Sequence, residues 1–198
     1  VALHKDNHVS SAFSEYKEYL MKFCSHCGST VEHKIPEDDN RPRFICTACH
    51  VIHYQNPNIV AGTLPVYGDK ILLCKRAIEP RYGYWTLPAG FMENQESTTE
   101  AAIRETWEEA EAVVKIGHLF SMMNVPQVDQ VHIFFLAELL EPKFAAGSES
   151  LDVQLFSEDQ IPWDDIAFSS VSKTLKFYLE DVKNGSFEFH EDTIYPVE

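Results

Sequence analysis

The stretch Gly90-Phe91-Met92-Glu93-Asn94-Gln95-Glu96-Ser97-Thr98-Thr99-Glu100-Ala101-Ala102-Ile103-Arg104-Glu105-Thr106-Trp107-Glu108-Glu109-Ala110-Glu111-Ala112 decides how the rest of the chain is understood. Ser97 followed three residues later by Glu100 is a capping-box pair, in which each side chain takes the other's free backbone N–H. A helix is therefore expected over Ser97–Ala110, packing through Ala102, Ile103, Thr106 and Ala110. On another face Glu105, Glu108 and Glu109 stand at i, i+3 and i+4, where side chains are neighbours and like charges repel. Spacing alone leaves two readings open. The face is a solvated acidic surface, or it is a set of hard oxygen ligands whose repulsion Mg2+ or Mn2+ would cancel. Pro88-Ala89-Gly90 just upstream favours the second, because glycine lets the backbone approach a ligand closely.

Strand patterns surround this helix. Ile59–Val66 and Lys70–Lys75 are apolar runs joined around Tyr67-Gly68-Asp69, a hairpin signal. Tyr84–Pro88 is a short extended piece, Val113–Met123 and Val131–Leu139 are further strands, and Val153–Phe156 is a short one beyond Gly147. Ser169–Asn184 carries Val171, Leu175, Tyr178, Leu179 and Val182 at helical spacing and stops at Gly185. Strands flanked by two helices predict an α/β or α+β sandwich over residues 57–198, with Asn56-Pro57-Asn58 as a hinge before it.

Residues 23–56 are organised by cysteine. Cys24-Ser25-His26-Cys27 and Cys46-Thr47-Ala48-Cys49 are separated by eighteen residues. Two such knuckles complete a tetrahedron of thiolates for Zn2+, and four thiolates leave no open position, so the metal is expected to be structural. Two unrelated redox pairs are the weaker alternative. The intervening stretch suits a β-hairpin; His26, His50 and His53 could stand in for a cysteine but are expected to be solvated neighbours. Zinc ribbons often meet nucleic acid, yet here Glu32, Glu37, Asp38 and Asp39 offset Lys34, Arg41 and Arg43, so no basic stripe is formed. Residues 1–22, with Tyr16, Tyr19 and Leu20 at roughly helical spacing, are expected to lead into a short helix without assigned function.

The chain has 198 residues and a formal net charge of −15, which opposes nucleic-acid backbones and anionic lipid. The longest apolar run, Val131–Leu140, is interrupted by His132 and Glu138, and no basic start followed by an apolar segment marks a secretory signal. Paired cysteines in such a chain point to a metal site rather than disulfides. No nucleic-acid partner, no membrane association and a cytoplasmic location are the resulting expectations.

With these motifs in place, the chain resembles the Nudix hydrolases, whose box reads G-x5-E-x7-R-E-U-x-E-E-x-G-U. Gly90, Glu96, Arg104, Glu105, Glu108 and Glu109 match in type and spacing, while Thr106 stands for the aliphatic residue and Glu111 for the final glycine. If that last position is left-handed, a non-glycine residue there costs on the order of 1 kcal/mol. The cysteine pairs followed by His53-Tyr54-Gln55-Asn56-Pro57 resemble the ribbon-bearing branch of the family.

The resemblance implies an α/β/α sandwich with a mixed sheet behind a small N-terminal zinc ribbon. It implies catalytic metals, Mg2+ or Mn2+, on Glu105, Glu108 and Glu109, with a carbonyl of Ala89 or Gly90 as a further ligand. Glu96 and Arg104 would brace the loop against the helix. Glu149 is the candidate for one more carboxylate, with Asp152 in reserve, and Glu105 is a candidate base. Tyr54, Tyr82, Tyr84 and Phe91 are candidates to stack on an adenine or flavin ring.

The implied reaction is attack of water on a pyrophosphate bond of a nucleoside diphosphate derivative, FAD or ADP-ribose before NADH. The Ser-Gln-Pro-Trp-type motif of the NADH branch is replaced here by Ser121-Met122-Met123-Asn124-Val125-Pro126-Gln127. A non-catalytic dinucleotide-sensing regulator is the alternative from another class; such proteins usually lose box glutamates that this chain keeps. Ribbon-bearing relatives are commonly homodimers, and a homodimer is expected.

Overall fold

The computed structural model describes residues 21–195, so the helix expected near Tyr16–Leu20 lies outside the described residues. The chain divides into two compact units between Asn56 and Pro57.

In the first unit, β1 (Val31–Lys34) and β2 (Arg43–Cys46) form the expected antiparallel hairpin, and β3 (Ile52–His53) adds a third strand against β2. The buried apolar side chains here are Cys24, Pro36, Phe44 and Cys46. Two of the four carry thiols, so little else holds these strands together.

The second unit is built on a mixed sheet. Its strands are β4 (Asn58–Tyr67), β5 (Lys70–Arg76), β8 (Val114–Val125), β9 (Gln130–Leu139), β10 (Ser150–Phe156) and β11 (His190–Thr193), in the order β10-β5-β4-β9-β8-β11. The short strands β6 (Trp85–Thr86) and β7 (Ala89–Phe91) pair with β5 and β4. The contacts β4·β9 and β8·β11 are parallel and the others antiparallel. Strands β7 and β11 are additions to the sequence reading. The first is three residues long and the second is polar, so neither carries an apolar alternation to betray it.

The helices α1 (Thr98–Ala110) and α2 (Ser169–Asn184) cover the two faces of this sheet. Side-chain parity shows the division. Leu64, Ile71, Leu73 and Phe134 pack with Val171, Leu175 and Tyr178 of α2. Their strand neighbours Ala61, Leu72, Cys74 and Phe135 pack on the other face with Ala101, Ala102 and Ala110 of α1. Burial on both faces explains the near-continuous apolar runs of β4, β5 and β9.

The helix ends follow local chemistry. The Ser97 N–H donates to the Glu100 carboxylate at 2.7 Å, and the Glu100 N–H donates to Ser97 Oγ at 3.3 Å. Helix α2 stops where Gly185 turns left-handed, φ 69°. Glu111 is also left-handed, φ 47°, and its N–H donates to the Trp107 carbonyl at 2.8 Å. The helix therefore ends where the family's glycine would end it, and does not run on.

Two packing expectations are corrected. Ile103 is 42% exposed, because the buried stripe of α1 is Ala101, Ala102, Glu105, Thr106, Glu109 and Ala110, and Ile103 falls outside it. Val182 is likewise exposed at the last turn of α2, although Val171, Leu175 and Tyr178 are buried.

Candidate functional site

In the ribbon, the sulfur atoms of Cys24, Cys27, Cys46 and Cys49 all lie within 4.8 Å of one another. Two of the separations are 3.7 Å (Cys24–Cys49) and 3.4 Å (Cys27–Cys46). A tetrahedron with metal–sulfur bonds of about 2.3 Å has edges of about 3.8 Å, so the donor set fits Zn2+. Backbone N–H groups of His26, Ala48 and Cys49 donate to the sulfurs of Cys24 and Cys46 at 3.3–3.4 Å, which favours thiolates. Hydrogen bonds from the Ser29 backbone and hydroxyl, with the neighbouring thiols, bring the Cys27 thiol down to about 6. His53 is not a bystander: its Nε2 stands 3.3 Å from Cys24 Sγ. Tyr54 also belongs to this unit, where the Arg43 guanidinium lies over its ring at 5.0 Å.

In the second unit the box residues surround one wall of a cavity of about 740 Å³. Arg104 is the hub of that wall. It pairs side-on with Glu96, at 3.1 Å from Nε and 2.7 Å from a terminal nitrogen, and donates to the Phe91 carbonyl at 3.1 Å. Its other terminal nitrogen reaches Glu105 at 2.6 Å and Glu108 at 3.0 Å. The Glu93 N–H donates to Glu96 at 2.5 Å. Loop, helix start and two of the three carboxylates are thus tied to a single guanidinium.

The three glutamates do not share one exposed face. Glu105 and Glu109 belong to the buried stripe, 9% and 6% exposed, while Glu108 is solvated. Burial, reinforced by the charge of Glu105, raises the Glu109 carboxyl to about 8, against the pull of the Ala89 backbone and Arg76. Burial also raises Glu105, with Arg104 opposing. Oε2 of Glu109 is buried without a hydrogen-bond partner. An orphaned carboxylate oxygen beside a second buried carboxylate is an arrangement that a hard divalent cation satisfies.

Glycine makes the close approach possible. A Cβ on Gly90 would stand 2.3 Å from the Glu105 carboxylate, so no larger residue fits there while Glu105 keeps its place. Glu149 arrives through a similar contact. Gly147 passes so near the end of α1 that a Cβ would meet the Glu108 carbonyl at 1.7 Å. The Ala145 and Gly147 N–H groups donate to the carbonyls of Ala110 and Glu109, and the Ala77 N–H holds the Glu149 carbonyl at 2.8 Å. The loop thereby caps the helix and delivers Glu149 to the cavity that Glu105, Glu108 and Glu109 line. Asp152 is spent elsewhere, accepting from the Val153 N–H and the Gln154 amide.

Of the four aromatic candidates, Phe91 lines the cavity. Tyr82 and Tyr84 are not among its lining residues; Arg81 lies over the Tyr84 ring at 5.5 Å. Sequence reasoning missed Phe168, which lines the cavity beneath the Arg76 guanidinium at 5.1 Å. It also missed Gln130, His132 and Ser170, brought to the cavity by β9 and the first turn of α2. A histidine interrupting the apolar strand Val131–Leu139 was the available signal.

Known proteins place this arrangement. The model described as Nudix N-terminal matches residues 22–55, and the NUDIX domain model matches residues 57–175. An ADP-ribose pyrophosphatase of Methanocaldococcus jannaschii is 29% identical over 136 residues, covering 67% of this chain and 78% of that protein. An NAD-capped RNA hydrolase NudC of Haemophilus influenzae is 30% identical over 161 residues, 77% of this chain but 58% of that protein. The crystal structure of a NUDIX hydrolase from Nitrosomonas europaea is 51% identical, covers 88% of this chain and 99% of its own, and superposes with a TM-score of 0.85. With a ribbon of four converging thiols and a glutamate helix set against a mixed sheet, the chain belongs to the Nudix family of pyrophosphohydrolases.

Proposed function

We propose that the chain hydrolyses the pyrophosphate bond of ADP-ribose, with FAD as the second candidate, using Mg2+ or Mn2+ held by Glu105, Glu108, Glu109 and Glu149. The observation that carries this reading is the unpartnered, buried oxygen of Glu109 beside Glu105 on the wall of the cavity. Carbonyls of Ala89 and Gly90 are the candidate backbone ligands. When bound, the divalent cation neutralises phosphate oxygens and lowers the pKa of a coordinated water. Glu105, packed against Gly90 and already raised by burial, is the candidate to accept the proton of the attacking water. Arg104 and Glu96 keep the loop and helix in register, and Arg76 offers a positive charge to the phosphates. In a chain of net charge −15, such local positive charge is what draws in an anionic substrate.

ADP-ribose is favoured over NADH because Val125, Gln127 and Val128 line the cavity where the NADH branch carries its own motif. The relative named an ADP-ribose pyrophosphatase supports the same choice. The acidic net charge argues against an RNA substrate. A non-catalytic sensor does not account for the retained carboxylates. Zn2+ in the ribbon is structural in this reading, and a homodimer is expected by light scattering.

The test is a substrate panel of ADP-ribose, FAD, NADH, coenzyme A and NAD-capped RNA with Mg2+ or Mn2+. Mononucleotide release should be fastest from ADP-ribose or FAD. No release from any member would sink the hydrolase reading, and preference for NAD-capped RNA would overturn the substrate choice.

A further inference from the structure

We infer that Gln130 is a specificity-determining residue of the cavity, held by His132 and Ser170 so that its amide N–H groups face an uncharged acceptor on the nucleoside part of the substrate. The inference rests on the hydrolase reading of this cavity and adds the residues that read the nucleoside. The geometry begins inside the sheet. His132 is buried on β9, with Nδ1 2.9 Å from Ser170 Oγ and Nε2 2.9 Å from Gln130 Oε1.

The protons on this relay follow from bonding capacity. A glutamine Oε1 only accepts, so the proton must sit on His132 Nε2. Burial lowers the His132 pKa to about 4, so the ring is neutral at pH 7 and Nδ1 has no proton. Ser170 Oγ–H therefore donates to Nδ1. Ser170 is itself fixed at the first turn of α2, where its carbonyl accepts from Thr174 Oγ1 at 2.9 Å. With Oε1 on the imidazole, the Gln130 amino group is turned away from the ring and makes no hydrogen bond to another described residue. A free-spinning glutamine would offer donor or acceptor equally. Held in this orientation by the ring, this one turns its donors to the cavity.

The surroundings choose the ligand group. Val125 is the cross-strand partner of Gln130, and Val125, Val128 and Ile194 pack together beside it. All of these residues line the same cavity, and the neighbouring polar groups, imidazole and hydroxyl, are uncharged. Such a wall suits a base or ribose acceptor atom, whereas a phosphate would be matched by the guanidinium of Arg76.

The experiment uses the full chain with Gln130→Met, His132→Asn and His132→Gln. Steady-state kinetics on ADP-ribose with Mg2+ are paired with calorimetric binding of adenosine 5′-monophosphate in EDTA, which needs no catalysis. Gln130→Met and His132→Asn should raise KM and weaken mononucleotide binding about five- to tenfold, the loss of one neutral hydrogen bond, with kcat within about twofold. His132→Gln places an amide donor where Nε2 stood and should restore KM towards wild type, which a merely structural role would not do. Unchanged mononucleotide affinity in Gln130→Met, no mononucleotide binding by the wild type, or equal defects in the two His132 variants would overturn the inference. A wild type that binds the mononucleotide but releases nothing from ADP-ribose would instead fail the hydrolase reading.

Discussion

The ribbon and the catalytic unit each gather four ligand-type side chains, but by opposite routes. Residues 22–56 carry four Lys/Arg against four Asp/Glu, whereas residues 57–198 carry ten against twenty-four. In the ribbon, two local knuckles bring the cysteines together, and beyond them only Phe44 and Pro36 are buried apolar side chains among the described residues. In the catalytic unit a two-faced core buries Phe120, Phe134, Leu64 and many others, and two of the carboxylates, Glu105 and Glu109, are pressed into its edge. The ribbon's ligands are thus most of its core. The carboxylates proposed to hold the catalytic metal are instead a burden that the core carries, as in the buried, unpartnered Glu109 oxygen.

That contrast breaks most visibly on metal removal. Stripping zinc, or making Cys24→Ser with Cys49→Ser, should unfold the ribbon, since structural zinc contributes on the order of 10 kcal/mol in small modules. The catalytic unit should keep a cooperative melting transition. Hydrogen exchange resolved by segment would show it, and ribbon amides equally protected without zinc would break the comparison.

The converse applies to Glu109. Glu109→Gln should lower kcat/KM by about 100-fold or more while the melting temperature in EDTA stays or rises, because a buried carboxyl that is costly to ionise beside Glu105 is replaced by a neutral amide. Glu100→Gln on the same helix keeps a capping-box residue and should change both quantities little. Near-normal turnover in Glu109→Gln would reduce the carboxylate face to an ordinary surface.

Burial of a polar group also sets a pH dependence within the catalytic unit. His132 has a folded pKa near 4, below its ordinary 6.5. The unfolded chain takes up the proton first as pH falls, so the associated stability is complete above about 6.5 and lost on the way to 4. The loss is about 3 kcal/mol over that window. Denaturant titrations at several pH values, wild type against His132→Gln, should show that difference; parallel curves would count against it. The smallest effect concerns Glu111, whose left-handed backbone glycine would adopt without strain. Glu111→Gly should add up to about 1 kcal/mol, read as a higher denaturation midpoint at unchanged slope.

Much of this molecule is written in short-range signals. The Ser97–Glu100 box, the Gly185 stop, the hairpin around Gly68 and the two CxxC knuckles each specify structure within a few residues, and each appears in the fold. The resemblance to the family's box also singled out Gly90, Glu96, Arg104 and the glutamates of α1 as candidates. What spacing did not decide is which way that helix faces. Glu105 and Glu109 lie in its buried stripe, and Ile103 lies outside, because the sheet and the loop through Gly147 claim that side. Likewise Glu149 comes forty residues after Glu109 in the chain, Phe168 is brought under Arg76, and Ser170 reaches His132 across thirty-eight residues. Local propensity acts over a turn or a hairpin, so it determined the elements and the ligand types. Which side chains share the cavity, and which of its polar groups are buried, was decided by the packing of distant elements, which no local pattern encodes.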